Sequence, residues 1–240
     1  AMQKKSLKKT IILSVLFFLP VLFLLFLYPS KHNYNPLDVV KTQIEEVSGF
    51  KDEEGNDINF KGNITVVGFL GREPMQQTTT ALNLKELIYD KFKGFKRFQI
   101  LILVPDGSQG QIAELRKELL KYDELKYWHF AYGHPQDVLN VFNSLESEIP
   151  LNDNYATSHV FIVDNELKQR GRIDDRTENE IEANKAVYSM NSYDCVEVAE
   201  LKNKMSEDIR ILFTEYRQKR DGNFDSSSRR ADDIKTNEEN

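Results

Sequence analysis

The run ITVVGFL, residues 64–70, is continuous, almost wholly apolar and rich in β-branched side chains. A run of this kind, without alternation of polar and apolar residues, is typical of a strand buried on both faces of a mostly parallel sheet. A second run of the same character, FQILILV at residues 98–104, follows it along the chain. The two runs therefore predict two buried strands of an α/β sheet.

Helical periodicity separates and follows these two strands. Between them, after Pro74, apolar residues recur at the spacing of an amphipathic helix, namely Leu82, Leu84, Leu87, Ile88 and Phe92. Beyond the second run, residues 106–108 begin another helix, and residues 128–132 form a third strand. Pro135 opens a short helix, where its missing N–H costs nothing. Strand and helix thus alternate through the middle of the chain, as in an α/β sandwich.

The C-terminal part predicts an antiparallel pair and a covering helix. The run HVFIVD, residues 159–164, is a fourth strand, and residues 167–173 are its hairpin partner. A long helix over residues 195–217 has an apolar side that comprises Val196, Val198, Leu201, Met205, Ile209, Leu212, Phe213 and Tyr216. This order predicts an α/β thioredoxin-like fold with a central mixed sheet flanked by helices.

The remaining segments have predicted roles of their own. Residues 30–46 are polar and form a stalk, and two short strands around Gly55 form a hairpin. The folded domain covers residues 47–220, in which residues 174–191 are polar and poorly periodic and indicate an inserted loop. Residues 221–240 carry many charges and few large apolar groups. They cannot bury enough surface to offset the entropy of ordering, so we predict a disordered tail.

An uncharged run near the N-terminus, IILSVLFFLPVLFLLFLY at residues 11–28, has the composition of a transmembrane helix. The alternative is a cleaved signal peptide, whose apolar part spans about 7–15 residues and ends at small residues. Lysines within residues 1–10 predict that the N-terminus stays in the cytoplasm. We therefore predict a single-pass anchor at residues 11–29 in the inner (cytoplasmic) membrane, with lipid contacts through Ile11–Tyr28. The folded domain is then periplasmic or otherwise extracytoplasmic.

The net charge argues against nucleic-acid binding, and the cysteine content excludes an intramolecular disulfide. The formal net charge is −6, whereas nucleic-acid binding relies on a basic surface, so no nucleic-acid partner is predicted. Cys195 is the only cysteine, so an intramolecular disulfide cannot form. We predict that Cys195 is buried and inert. The alternatives are intermolecular pairing, or a thiol made reactive by its place at the start of the last helix.

The order of several short motifs resembles the Sco/SenC family of membrane-anchored, thioredoxin-fold copper chaperones for cytochrome oxidase assembly. The resemblance covers about residues 45–217. It includes VVGFLG leading to Pro74, then LVPDGSQGQIAEL, WHFAYGHPQDV and the final hairpin HVFIVDNELKQRG. The resemblance implies a thioredoxin-like domain tethered near respiratory machinery.

The chain departs from this family at the residues that carry the family's chemistry. The family has a C-x-x-x-C motif just after the VVGFLG-type strand and a histidine before the penultimate strand, a ligand set that suits copper. Alignment on Pro74 places Glu73 and Gln77 at the two cysteine positions. The histidine position falls near Ala156, and His159 is three residues late. No catalytic residue and no cofactor are therefore expected, and thiol exchange lacks the thiols that it needs.

Four residues remain as candidates for a replacement metal site: Glu73, Met75, Gln77 and His159. Glu73 and Gln77 would offer oxygen atoms to a hard cation or to a basic group of a partner. A carboxylate at a helix start also stabilises the helix through its macrodipole, which is the expected role of Glu73. Met75 alone makes a poor metal site, so its expected role is packing. His159 begins a strand, from which its side chain would point into the sheet.

Two other groups of polar residues carry weaker signals. His129 and His134 flank the turn at Gly133 and would need a third ligand to hold a metal. An acidic cluster in the predicted loop comprises Asp174, Asp175, Glu178, Glu180 and Glu182. Its spacing does not match an EF-hand, so a solvated acidic loop is the expected structure.

The favoured hypothesis is a protein that is not an enzyme. It would be a membrane-anchored Sco-like assembly, accessory or interaction factor of a respiratory or cell-envelope complex, with a respiratory oxidase as the candidate protein partner. One alternative is a copper chaperone with a rebuilt metal site that contains no cysteine. The other is a purely structural envelope domain. The link to an oxidase is an analogy, because function resides in a site rather than in a fold.

Overall fold

Two compact units divide the chain, and each is described by itself: Ala1–Asn35 and Pro36–Asn240. The structure is a computed structural model that describes residues 12–23, 36–120, 124–220 and 222.

In the first unit, residues 12–23 form helix α1. Among the described residues, no helix is both long enough and apolar enough to cross a bilayer. The rest of the predicted anchor, the predicted cytoplasmic residues 1–10 and the predicted tail after Gly222 lie outside the described residues.

The described part of the second unit contains a seven-stranded sheet. Its strands are β1 (Asp38–Lys41), β2 (Ile64–Phe69), β3 (Phe98–Pro105), β4 (Trp128–Gly133), β5 (His159–Val163), β6 (Gln169–Gly171) and β7 (Tyr193–Asp194). The four strands predicted from apolar runs are therefore confirmed as β2, β3, β4 and β5.

Helices cover the sheet. Helix α2 occupies residues 74–92 and changes pitch along its length, through a 3-10 turn (Pro74–Gln77), an α-helix (Thr78–Leu84), a π-helical turn (Lys85–Tyr89) and a last α turn (Asp90–Phe92). The others are α3 (Gln109–Leu119), α4 (Pro135–Ser144), α5 (Glu178–Glu182) and α6, in which a π-helical turn (Glu200–Met205) continues as an α-helix (Ser206–Arg220).

The strand order is β1-β6-β5-β2-β3-β4, and β7 pairs with β5 beside this path. Strands β2, β3 and β4 are parallel, whereas β5 is antiparallel to both β2 and β6. A parallel βαβ unit followed by an antiparallel hairpin and a covering helix is the thioredoxin-like arrangement. The prediction of a mixed α/β sheet of this type is confirmed.

The sheet separates two apolar cores. Val66 and Ile100 face the core that contains α2, α3 and α6, whereas Val67 and Leu101 face the core that contains α4. Successive side chains of a strand point to opposite faces, so central strands covered on both sides need apolar residues at every position. This is the physical reason why residues 64–70 and 98–104 read as continuous apolar runs.

Two predictions near the start of the domain need correction. Residues 36–46 were predicted as stalk, but Asp38–Lys41 is strand β1, paired with β6, and Leu37 and Ile44 are buried. The predicted hairpin around Gly55 is reduced to a single bridge between Lys51 and Asp57. Lys51 also bridges to Tyr132 of β4, so this segment extends the sheet instead of forming a sheet of its own.

Two further corrections concern the C-terminal part. The last helix begins after Cys195, and Val196 and Val198 are exposed rather than packed on its apolar side. The predicted loop at residues 174–191 contains helix α5. A capping box stabilises the start of α5, since the side chains of Thr177 and Glu180 each accept a hydrogen bond from the other's backbone N–H.

Candidate functional site

The candidate site lies where the chain leaves β2. Gly71 has a φ of +71°, and a Cβ there would lie 2.2 Å from the carbonyl oxygen of Asn154. The next backbone N–H, of Arg72, donates to that same carbonyl at 2.9 Å. Only glycine combines this conformation with so close an approach. The turn therefore fixes residues 71–73 against the loop that precedes β5.

Glu73 links the start of α2 to this loop. Its carboxylate accepts hydrogen bonds from Gln76 Nε2 at 2.6 Å and from Asn154 Nδ2 at 3.1 Å. Glu73 occupies the N-cap position, but its side chain makes no capping hydrogen bond to the helix backbone. The carboxylate at the first expected cysteine position therefore holds two segments together.

The second expected cysteine position also carries a polar group that is bonded within the helix. The side-chain oxygen of Gln77 accepts a hydrogen bond from Thr80 Oγ1 at 3.1 Å. Met75 lies between the two positions with 37% of its surface exposed, and its carbonyl accepts a hydrogen bond from Thr78 Oγ1. The hydrogen bonds of Gln77 and Met75 thus go to threonines of the following helical turn.

The third expected ligand position also lies at this site. Ala156 bridges to Leu70, which is the residue just before the turn, and it is buried. The structure thus brings Ala156 close to Leu70 and Gly71, at the start of the turn after β2. A methyl group stands there, with no atom able to bind a metal.

His159 lies elsewhere. Its Nδ1 is 3.0 Å from Ser192 Oγ, and its Nε2 is 3.9 Å from a carboxylate oxygen of Asp194. His159 and Asp194 are paired residues of β5 and β7. Among the described residues, no hydrogen bond or ion pair joins His159 to Glu73 or Gln77.

The donor atoms at the site do not fit copper. Cu(I) favours thiolate, thioether and imidazole ligands, whereas the three matching positions offer a carboxylate, an amide and a methyl group. In the part of the chain that the structure describes, no group of three or more His, Cys, Asp or Glu side chains is placed to hold a metal ion.

Cys195 lies away from these positions and is fully buried. Its N–H donates to Ser158, and its carbonyl accepts a hydrogen bond from Asn83 Nδ2 at 2.8 Å. Burial raises the pKa of the Cys195 thiol well above its usual value, and the nearby carboxylates of Asp194 and Glu200 add to this. The structure therefore agrees with the buried Cys195 that we predicted and disfavours a reactive thiolate.

The two other histidines have separate environments. His134 caps α4, where its Nδ1 accepts a hydrogen bond from the Gln136 N–H at 3.3 Å. Burial lowers the pKa of His129, although the Asp52 carboxylate partly opposes this effect.

The acidic cluster of the inserted loop is largely paired with cations. Asp175 binds Arg172 and Lys204. Arg176 Nη2 lies 2.7 Å from Asp174 Oδ2. Glu180 accepts hydrogen bonds from the Thr177 N–H and from the Tyr188 hydroxyl. These contacts tie the carboxylates of Asp174, Asp175 and Glu180 to neighbouring groups of the domain.

Sequence reasoning missed a buried ionic network between β6 and α6. Arg170 Nη1 lies 3.0 Å from Asp164, and its Nη2 lies 2.5 Å from Glu215. Arg172, two residues on, makes a bidentate contact with Asp208. The available signal was the pair of arginines two apart within the strand predicted over residues 167–173, since such residues would share one face of a sheet.

Comparison with known proteins finds similar folds. A Sco-family cytochrome c oxidase assembly protein, BsSco, is 15% identical, with a TM-score of 0.45 over 73% of this chain and 96% of that one. The thioredoxin domain of a thiol-disulfide oxidoreductase from Bacteroides vulgatus is 18% identical, with a TM-score of 0.40 over 71% and 98% of the chains. A copper-bound Sco protein from Arabidopsis thaliana is 14% identical, with a TM-score of 0.40 over 67% and 94%.

No protein-family model matches the chain. No curated protein matches it either.

Proposed function

We propose that this protein is a membrane-anchored interaction or assembly factor that acts through the surface of its thioredoxin-like domain and catalyses no reaction. Its working partner is a protein of a respiratory or cell-envelope complex. A respiratory oxidase is the first candidate because of the sequence resemblance to the Sco/SenC family.

One observation carries the proposal. Glu73 and Gln77 stand at the turn after β2 where thiols would perform exchange or bind copper, and both side chains are hydrogen-bonded within the domain. Glu73 also binds Asn154, so it stabilises the site instead of reacting there. Thiol exchange needs an attacking and a resolving thiol, whereas the chain has one cysteine, and that cysteine is buried.

The direct test is affinity purification of the tagged full chain from its native membranes in a mild detergent. Recovery of a respiratory oxidase or cytochrome subunit in a fixed ratio to the chain supports the proposal. Recovery of the chain alone, from membranes in which those complexes stay intact, contradicts it and favours a purely structural envelope domain.

A metal titration tests the alternative of a rebuilt copper site. The detergent-solubilised full chain is titrated with Cu(I) and Cu(II) against a competing chelator. We expect no stoichiometric site tighter than about micromolar, which corresponds to about 8 kcal/mol of binding free energy. A tighter site that is lost in Glu73→Ala or His159→Ala, but kept in Glu178→Ala, would replace our proposal with copper binding.

A further inference from the structure

A basic cavity of about 780 Å³ lies at the end of the sheet opposite the turn after β2. It is formed where the loop after α2, the start of β2, the turn between β5 and β6, and the last turns of α6 meet. None of the residues discussed for the candidate site lines this cavity. It is therefore a separate feature of the domain.

The charge of this cavity is opposite to that of the whole chain. Five cationic side chains line it, with a single carboxylate: Lys96, Arg97, Arg217, Lys219, Arg220 and Glu166. Glu166 is paired with Lys168 at 2.5 Å, so its charge is already compensated. Since the formal net charge of the chain is −6, this concentration of positive charge is local and favours an anionic occupant.

Aromatic rings form one wall of the same cavity. Phe95 and Phe213 both line it and are stacked, with ring centroids 4.4 Å apart and planes 22° apart. Phe95 keeps 40% of its surface exposed. A partly exposed ring beside a concave surface is the kind of anchor point that apolar side chains of a partner fill.

The wall is preorganised for binding. A tight turn holds Phe95, whose N–H donates to Phe92 and whose carbonyl accepts from Phe98.

Helix stability explains only part of this arrangement. Cations in the last turn of a helix are favoured by its macrodipole, which accounts for Arg217, Lys219 and Arg220 at the end of α6. Lys219 also binds Glu215 on the preceding turn. Lys96 and Arg97, in contrast, come from a different loop, and among the described residues no carboxylate lies within ion-pair distance of them.

We propose that this cavity binds an extended acidic segment of a partner protein, in which carboxylates flank an aromatic or large apolar side chain. The apolar side chain packs on Phe95 and Phe213, and the carboxylates meet Lys96, Arg97 and Arg217. The inference rests on the proposed function and specifies the chemistry of the partner. A concave, aromatic-walled site favours an inserted side chain over a flat lipid surface.

The test is fluorescence polarisation with the full chain in a neutral detergent. The probe is a short labelled peptide with one phenylalanine among aspartates and glutamates. We expect saturable binding that weakens as salt is raised, because exposed charges are screened. A peptide with lysines in place of the acidic residues should not bind. Equal binding of both peptides, or of neither, overturns the proposal.

Matched variants locate the binding. Lys96→Glu combined with Arg217→Glu should weaken binding about tenfold or more, whereas Lys117→Glu combined with Lys202→Glu adds the same charge elsewhere and should leave it unchanged. All four side chains are exposed, so the fold should survive, as unfolding curves will check. Equal losses in both double variants overturn the proposal.

Other occupants give distinct outcomes. If the chain binds phosphatidylglycerol in mixed micelles but does not bind the peptide, the occupant is an anionic lipid headgroup. That outcome overturns the proposal of an acidic partner segment. If removing residues 223–240 raises the affinity for the labelled peptide about tenfold, the occupant of the cavity in the full chain is its own acidic tail.

Co-purification separates this inference from the proposed function. Oxidase subunits that co-purify equally with the parent and with the Lys96→Glu, Arg217→Glu variant would overturn this inference alone. Their absence from both would contradict the proposed function.

Discussion

Arg170 is the residue whose loss should harm the fold most. It is 3% exposed and lies between Asp164 and Glu215, which are 0% and 5% exposed. Its guanidinium also donates to the carbonyl of Leu37 at 2.7 Å, which holds the segment before β1. Arg170→Met removes the cation that Asp164 and Glu215 share, and it leaves Lys219 as the cationic partner of Glu215. Because the buried carboxylate of Asp164 then loses its cation, we expect a loss of about 3–5 kcal/mol in the free energy of unfolding, measured with urea.

The matched control for Arg170 is an exposed pair. Lys51 Nζ lies 2.5 Å from Asp57, with side chains that are 50% and 81% exposed. Such a pair contributes about 0–1 kcal/mol because water already solvates both charges. Lys51→Met should therefore change the free energy of unfolding little. Similar losses in the two variants would show that burial is not what makes the Arg170 contacts important.

Cys195 should be chemically silent in the folded protein. Burial raises the pKa of its thiol, and the thiolate is the reactive form. A chromogenic disulfide reagent at mildly alkaline pH should label the chain only after denaturant is added. Stoichiometric labelling of the native chain at the rate of a free thiol would contradict this expectation.

At the scale of elements, the turn after β2 depends on Gly71. An added Cβ would lie 2.2 Å from Asn154 O in a residue whose φ is +71°. We expect Gly71→Ala to cost about 1–3 kcal/mol from backbone strain alone. Gly94→Ala is the control, because a Cβ at Gly94 would meet no atom within 4 Å. Equal thermal unfolding midpoints for the two variants would contradict the close approach of Gly71 to the loop.

Helix α5 should make the inserted loop sensitive to pH. The pKa of Glu180 is lowered to about 2 from 4.5, chiefly by the hydrogen bond from the Thr177 N–H and then by the Tyr188 hydroxyl. The folded state therefore binds this proton less readily than the unfolded chain does. Its contribution to stability is present above about pH 4.5 and is lost as the pH falls towards 2.

Glu180→Gln tests this dependence. The variant should have a lower melting temperature than the parent near neutral pH. This difference should shrink as the pH is lowered from 4.5, the usual pKa of a glutamate, to about 2, the pKa of Glu180 in the folded chain. Glu178→Gln changes the same charge on a neighbouring exposed position and is the control. A difference between Glu180→Gln and the parent that stays constant with pH would contradict the lowered pKa.

The central elements were predictable because burial on both faces leaves a pattern in the sequence. Residues 64–70 and 98–104 are the examples. Strand β1 was not predictable in this way, since its four residues alternate between half-buried and exposed. The start of the last helix was misplaced because Val196 and Val198 are apolar but exposed, and residue type alone does not reveal which side a neighbouring element covers.

The candidate site was predictable in position but not in its contacts. Alignment on Pro74 located Glu73 and Gln77 because the turn that follows β2 has a fixed place in the order of elements. The hydrogen bond from Asn154 to Glu73 joins residues 81 positions apart. No local pattern encodes a contact of that range, and the same is true of Arg170 with Glu215, 45 positions apart.

At the scale of the whole molecule, the proposed partners depend on the side of the membrane that the domain occupies. Residues 11–28 carry no charge, whereas Lys4, Lys5, Lys8 and Lys9 precede them. Positive residues next to an apolar segment are retained in the cytoplasm. The full chain should therefore remain in the membrane fraction after an alkaline wash, and residues 36–240 expressed alone should leave it.

Orientation is tested by protease protection in bacterial cells whose outer membrane has been removed. Protease added outside should digest the domain of the full chain, because the four lysines keep only the N-terminus inside. Replacing these lysines with glutamates removes the signal that sets orientation, so a protected fraction should appear. A cytoplasmic marker that stays intact throughout shows that the cells are sealed. If the domain of the parent chain is protected, its surface and the basic cavity lie in the cytoplasm. An extracytoplasmic segment of an oxidase cannot reach the cavity there.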